Sequence, residues 1–286
     1  MISASYYPYT VKKIQLSSGC NLAYIDEGQG DRTLVFVHGL GAYALCWKKN
    51  IEYLKNYYRC IAIDLPGNGL SDHGDYLYSM SFFAESVYDF INRLGLKNVC
   101  LAGHSMGGQT SIIAVLQHAN FVEDLILCAP AGFEIFTASE KQLYQAALNL
   151  LDHFSNEESK LQQIMKTCFY RNPSQANEMI TDLVAIMQTY PVNAYKKMIE
   201  GCVNGMLDEP VLEKLHLIKQ RTLILFGEHD AVIPNKLLHH TTTRKIAEHA
   251  VAQMPNATLQ MIPEAGHFLQ WEKADAVNSA IKGFLS

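Results

Sequence analysis

Apolar residues follow two rhythms along this chain. In TLVFVHG (33 to 39), CIAIDLPG (60 to 67), NVCLAGHS (98 to 105), DLILCAPA (124 to 131) and TLILFGEHD (222 to 230) they occupy successive positions, with a turn after each run. Such runs read as strands buried on both faces. One more, TLQMIPEAGH (258 to 267), precedes a terminal helix. The stretches between them space apolar residues three and four apart, as one face of a helix requires. The alternation predicts an α/β protein with a mainly parallel sheet flanked by helices. Ahead of the runs, VKKIQL and NLAYID flank SSGC and predict an antiparallel hairpin at the sheet edge, which makes about eight strands.

The strand rhythm stops between residues 132 and 218. Segments there, such as KQLYQAALNLLDHF and ANEMITDLVAIMQTY, carry only the helical spacing. The chain is therefore expected to divide into a core of residues 1–131 and 219–286 and a helical cap, 132–218, inserted after the sixth strand. Pro173, Pro191 and Pro210 punctuate that insertion, so about four helices are expected rather than one long one. HHTTTRK (239 to 245) reads as the polar part of the helix after the seventh strand.

Composition narrows the partners. A chain of 286 residues, 49% hydrophobic, is long enough to bury a sizeable core. Its formal net charge of -5 offers no basic stripe, which argues against nucleic acid and anionic membrane surfaces and points to a small molecule. No stretch approaches the ~18 consecutive apolar residues of a membrane span. The first residues also lack a basic start followed by an apolar core. Seven cysteines stand singly, with no CxxC pair, and are expected as free buried thiols in a reducing, cytoplasmic setting. With no HExxH, no aspartate-rich loop and no GxGxxG after the first long strand, neither a metal nor a nicotinamide or flavin cofactor is expected. His239 and His240, read as helical neighbours, would project differently and not share a metal. Oligomeric state is open between monomer and homodimer.

Candidate chemistry centres on GHSMGG, residues 103 to 108. A strand that turns at once into a helix can present the residue at the bend only if its neighbours lack bulk, and Gly103 and Gly107 stand two positions either side of Ser105. Gly108 would serve close packing of the helix. The bend leaves the Met106 N–H at a helix N-terminus, where it can hold a developing oxyanion. Ser105 could instead be a plain helix cap; its place between strand and helix favours a nucleophile. A serine nucleophile needs a histidine base held by a carboxylate. In an open parallel sheet the reactive groups gather at the carboxyl ends of strands. His267, in EAGH after the last strand, is the candidate base. Asp230, in GEHD after the preceding strand, is the candidate acid, with Glu134 as its rival. In VHGLGAYALCW, Gly39 and Gly41 let backbone approach a carbonyl, and Leu40 is the second candidate oxyanion donor. His38 is expected to brace that loop, and His104 has no claim to be the base.

HGLG at 38 to 41, DLPGNGLSD at 64 to 72, GHSMGG, GEHD at 227 to 230 and AGH at 265 to 267, in that order, resemble the α/β-hydrolase superfamily over roughly residues 20 to 286. The resemblance implies the α/β-hydrolase fold, with Ser105 as nucleophile, Asp230 as orienting acid, His267 as base, and Leu40 and Met106 as backbone oxyanion donors. It makes Asp64 and Asp72 parts of a structural turn. Haloalkane dehalogenases and epoxide hydrolases of this fold carry an aspartate where this chain has Ser105, so an alkyl-enzyme ester is disfavoured. The expected activity is hydrolysis of a small to medium carboxylic ester or related acyl compound. A carbon–carbon bond hydrolase acting on a vinylogous diketone and a ligand receptor with little turnover are the alternatives. Arg171 in FYRNP is expected as an exposed helix-end residue rather than a substrate contact. Phe133, Phe136, Tyr144, Phe154, Phe169, Tyr170, Tyr190 and Tyr195 are expected mostly to pack.

Overall fold

The computed structural model describes residues 7–154, 162, 165–171, 177–188 and 192–286. Eight strands form one sheet: β1 (Val11–Gln15), β2 (Asn21–Glu27), β3 (Thr33–Val37), β4 (Arg59–Ile63), β5 (Val99–His104), β6 (Asp124–Cys128), β7 (Arg221–Gly227) and β8 (Ala257–Ile262). Their spatial order is β1-β2-β4-β3-β5-β6-β7-β8. β1 pairs antiparallel with β2, and β2 antiparallel with β4; every other neighbour is parallel. The expected edge hairpin and parallel sheet are both present.

Why the runs become strands is visible in their burial. All residues of β3, β5 and β6 are buried, because helices cover both faces and leave no solvent side for a polar residue. β1 at one edge shows no such run and keeps exposed lysines at Lys12 and Lys13. At the opposite edge β8 alternates half-buried with exposed positions, as a strand covered on one face does.

Helices α1 (Lys48–Leu54), α2 (Met80–Arg93) and α3 (Met106–Gln117) connect the strands as far as β6. Ser79 caps α2 by accepting the Phe82 N–H. Between β6 and β7 lie α4 (Ala138–Phe154), α5 (Asn177–Gln188) and α6 (Val192–Asp208), followed by a 3-10 turn at Leu212–Leu217. No strand occurs there among the described residues. Pro173, Pro191 and Tyr190 lie outside the described residues, as does the Phe154 side chain. After β7 come α7 (Thr243–Val251), α8 (Leu269–Glu272) and α9 (Ala274–Leu285).

One local expectation is corrected. His239 and His240 are not helical; α7 begins only at Thr243, where Thr242 caps it by accepting the Lys245 N–H. The string of threonines supplies a cap rather than a helical turn, because a threonine hydroxyl satisfies a free N–H best just before the helix starts.

Candidate active site

The carboxyl ends of β3, β5, β6, β7 and β8 deliver loops to one cavity of about 260 Å³. Leu40, Ser105, Glu134, Asn235 and His267 line it together with an apolar majority that includes Phe136, Tyr144, Met206 and Phe268.

Ser105 sits between the last residue of β5 and the first of α3, with φ 54° and ψ −120°. That conformation is disfavoured for a residue with a Cβ and persists only where the surroundings dictate it. Here the Ser105 N–H donates to the Cys128 carbonyl, while its own carbonyl accepts from Gly108, Gln109 and Ala131. The flanking glycines are required by contact. A Cβ on Gly103 would lie 2.4 Å from the Gly107 carbonyl oxygen, and one on Gly107 would lie 2.4 Å from that of Val37. Gly108 lets α3 approach Pro130 in the loop after β6, where a Cβ would meet the proline at 2.7 Å.

The three residues singled out for nucleophile, base and acid come together. His267 Nε2 is 2.9 Å from Ser105 Oγ, and His267 Nδ1 is 2.9 Å from Asp230 Oδ2. Asp230 is fully buried, and its other oxygen accepts the N–H groups of Val232 and Ile233. Those bonds fix the carboxylate, so Nδ1 carries the ring proton toward Asp230 and Nε2 is left to accept from the serine hydroxyl. His267 is held from behind as well, its N–H donating to the Cys168 carbonyl at 2.8 Å. Glu134 holds a different histidine, pairing with His239 Nδ1 at 2.6 Å.

Both expected amide donors adjoin Ser105 in the fold. Leu40 lines the cavity, and Met106 is the first residue of α3. Among the described residues neither N–H has a protein acceptor. Gly39 allows this closeness, since a Cβ there would touch the Ser105 Cβ and His104 Nδ1 at 3.0 Å.

The neighbouring histidines are structural. His38 Nδ1 donates to the Gly39 carbonyl at 2.7 Å and Nε2 accepts the Leu65 N–H at 3.0 Å, bracing the loop after β3 against the loop after β4. Burial pushes its pKa down to about 4. His104 is buried, and its Nε2 donates to the His267 carbonyl at 3.0 Å. Burial, and then the nearby His267, hold His104 well below the usual histidine range. Asp64 is buried too and accepts from Tyr7, Ala44 and Leu70, the structural turn role expected of it. Burial raises its carboxyl to about 6 against those donors.

These shifts give a pH dependence of stability. The unfolded chain protonates near the ordinary histidine value, about 6.5, while folded His38 resists until about pH 4. His38 therefore contributes stability that is present above pH 6.5 and lost as pH falls toward 4, and His104 acts in the same sense. Asp64 opposes them, because the folded state takes its proton first on the way down from pH 6. Urea unfolding of wild type should show a lower unfolding free energy at pH 4.5 than at pH 6.5. His38→Gln, less stable at neutral pH, should lose less over that interval; an unchanged loss would remove His38 as the cause.

Sequence reasoning missed several contacts. Glu272 accepts the Gly266 N–H at 2.9 Å on one oxygen and the Tyr170 N–H at 2.8 Å on the other, tying the 165–171 segment to the loop that carries His267. Phe169 stacks on Phe268 at 5.1 Å alongside. The sequence signal was only an acid in EAGHFLQWE, which no local rule assigns to a partner a hundred residues away. Arg171 is exposed, lies over the Tyr170 ring and is absent from the cavity lining, as expected. Phe136 and Tyr144 line the cavity, whereas Phe169 packs. Among the described residues no cluster of three His, Cys, Asp or Glu could hold a metal ion, and no helix is long and apolar enough to cross a membrane.

The family model for the alpha/beta hydrolase fold matches residues 32–274. The chain is 25% identical over 299 aligned residues to epoxide hydrolase 2 of Caenorhabditis elegans, covering 96% of this chain and 79% of that protein. It is 28% identical over 268 residues to the 2-hydroxy-6-oxononadienedioate/2-hydroxy-6-oxononatrienedioate hydrolase of Comamonas testosteroni, covering 91% and 90%. Among solved structures, a thermophilic esterase from Thermogutta terrifontis superimposes with a TM-score of 0.77 at 24% identity, covering 96% of this chain and 98% of that one.

Proposed function

Because the chain belongs to the alpha/beta hydrolase fold family and is a hydrolase, we propose that it cleaves a small to medium carboxylic ester through an acyl-enzyme on Ser105. The observation that carries this reading is the 2.9 Å contact from His267 Nε2 to Ser105 Oγ, with Nδ1 held by Asp230. In the first step Nε2 takes the hydroxyl proton as Oγ attacks the ester carbonyl. The N–H groups of Leu40 and Met106 hold the oxyanion of the tetrahedral intermediate. His267 then gives the proton to the leaving alkoxide, which departs as an alcohol. Water repeats the sequence on the acyl-enzyme, releasing the acid and restoring Ser105. Asp230 stays ionised and stabilises the imidazolium. The described residues of 132–218 serve as a cap over the cavity, to which Phe133, Glu134, Phe136, Tyr144, Met165, Cys168, Val203, Met206 and Leu207 contribute lining.

A carbon–carbon bond hydrolase with the same residues is the second reading, favoured by the Comamonas relative. The substrate in that relative's name is a dicarboxylate. Here the described lining contains no Lys or Arg and does contain a carboxylate, Glu134, which supports the ester reading. Epoxide hydrolysis through an aspartyl ester is set aside because a serine stands at the bend. The seven free thiols, six of them buried, support a reducing, cytoplasmic setting.

A fluorophosphonate probe should label Ser105 rapidly, and a panel of short acyl esters should then give acid plus alcohol. Acid plus ketone or dienoate from a vinylogous diketone, with no ester turnover, would transfer the assignment to the second reading. Rapid labelling without turnover on either class would favour a receptor.

A further inference from the structure

Among the described residues, Glu134 is the one acid in the cavity lining, and the proposed reaction leaves it unused. It follows the loop after β6, and its side chain is 8% exposed. Its bonds are lopsided. Oε1 accepts both the Asn235 N–H at 2.9 Å and His239 Nδ1 at 2.6 Å. Among the described residues Oε2 has no hydrogen-bond partner, although the residue lines the same cavity as Ser105 and His267.

A structural role would be complete with Oε1, which joins the loops after β6 and β7. A second carboxylate oxygen with no protein donor among the described residues, on a residue that shares the cavity lining with Phe136, Tyr144 and Val232, leaves an accepting capacity that the protein does not use. His239 does not use it. That ring lies against Phe136, 4.8 Å between centroids, and its Nε2 is 3.7 Å from the Glu140 carboxylate, so two acids face one imidazole. The lining therefore has two polar poles, a reacting one at Ser105 and His267 and an accepting one at Glu134, in a set of residues that is otherwise mostly apolar.

Resting on the ester reading for the first pole, we propose that the second is a recognition subsite at which Glu134 Oε2 accepts a hydrogen bond from a hydroxyl or ammonium group of the substrate. A carboxylate there meets like charge, and a methyl leaves the oxygen bare. The substrate class is accordingly an ester bearing a distal donor, neutral or cationic, and not a dicarboxylate half-ester.

Binding tests this without requiring turnover. Ser105→Ala is titrated calorimetrically with three methyl esters of matched length: methyl 6-hydroxyhexanoate, methyl heptanoate and the monomethyl adipate anion. The hydroxy ester should bind about tenfold more tightly than the heptanoate, as a hydrogen bond to a charged acceptor allows, and the adipate most weakly. Adding Glu134→Gln, which keeps an oxygen for Asn235 but turns a neutral NH₂ into the cavity in place of the charged acceptor, should shrink the hydroxyl advantage and strengthen the adipate. Unchanged heptanoate affinity shows that the cavity survives the change. Equal affinities for the three esters, no binding by any, or one common factor of change on adding Glu134→Gln would each overturn the subsite. Turnover by wild type separates the two readings: hydroxyl-selective binding without ester cleavage sinks the esterase and keeps the subsite, and cleavage without selectivity does the reverse.

Discussion

Ser105→Ala should lower kcat on any ester the protein cleaves by roughly 10⁴-fold or more, with the thermal midpoint of unfolding close to wild type. The size follows from removing the proposed nucleophile, after which only the proposed oxyanion donors and binding would remain to help water attack. The stability expectation follows from the backbone. Alanine keeps the Cβ that φ 54° disfavours, so the same strain stays, and the four main-chain hydrogen bonds around position 105 do not involve Oγ. Progress curves at matched protein concentration measure the first part and scanning calorimetry the second. Activity within tenfold of wild type would end the acyl-enzyme proposal. Collapse of the fold would show that the hydroxyl has a structural task.

Gly107→Ala should strongly destabilise the fold. Its new Cβ would sit 2.4 Å from the Val37 carbonyl oxygen and 2.5 Å from that of His38, and neither neighbour is a side chain that can rotate away. Relief requires α3 to back off the sheet, which we expect to cost about 3 kcal/mol or more and to displace both Ser105 and the Met106 N–H. The matched control is Gly283→Ala in α9, where nothing lies within 4 Å of the added atom. Being a helix interior, that site should gain about 0.5–1 kcal/mol from alanine. Chemical denaturation of both variants checks the pair, and a tolerated Gly107→Ala with native activity would refute the steric account of the motif.

These two residues also show what a sequence can disclose. The sheet was legible because strands covered on both faces must be apolar throughout, and β3, β5 and β6 are so. The placement of Ser105, Asp230 and His267 was legible because parallel strands send their carboxyl ends to one side, so three residues spread over 162 positions needed only to follow three strands. What stayed hidden depends on contacts with no local pattern. Glu134 could be ranked below Asp230, yet its pairing with His239 could not be read, because both lie in irregular loops whose course is set by packing. The non-helical HHTT stretch is a similar case. Its composition fits an exposed helix start equally well, and the hydroxyl of Thr242 decides the boundary.

Glu272 carries one more consequence. Its two oxygens hold the Gly266 and Tyr170 amides at once, and the Cys168 carbonyl takes the His267 amide beside them. Segment 165–171 and the loop of His267 therefore share their hydrogen bonds and cannot shift independently without breaking some. In free-energy terms the two positions are coupled. Any molecule in the cavity that favours the docked segment through Met165 or Cys168, both in its lining, also favours alignment of the imidazole, and alignment returns the same increment to the molecule's affinity. Occupancy and alignment of the His267 ring are then two readings of a single equilibrium.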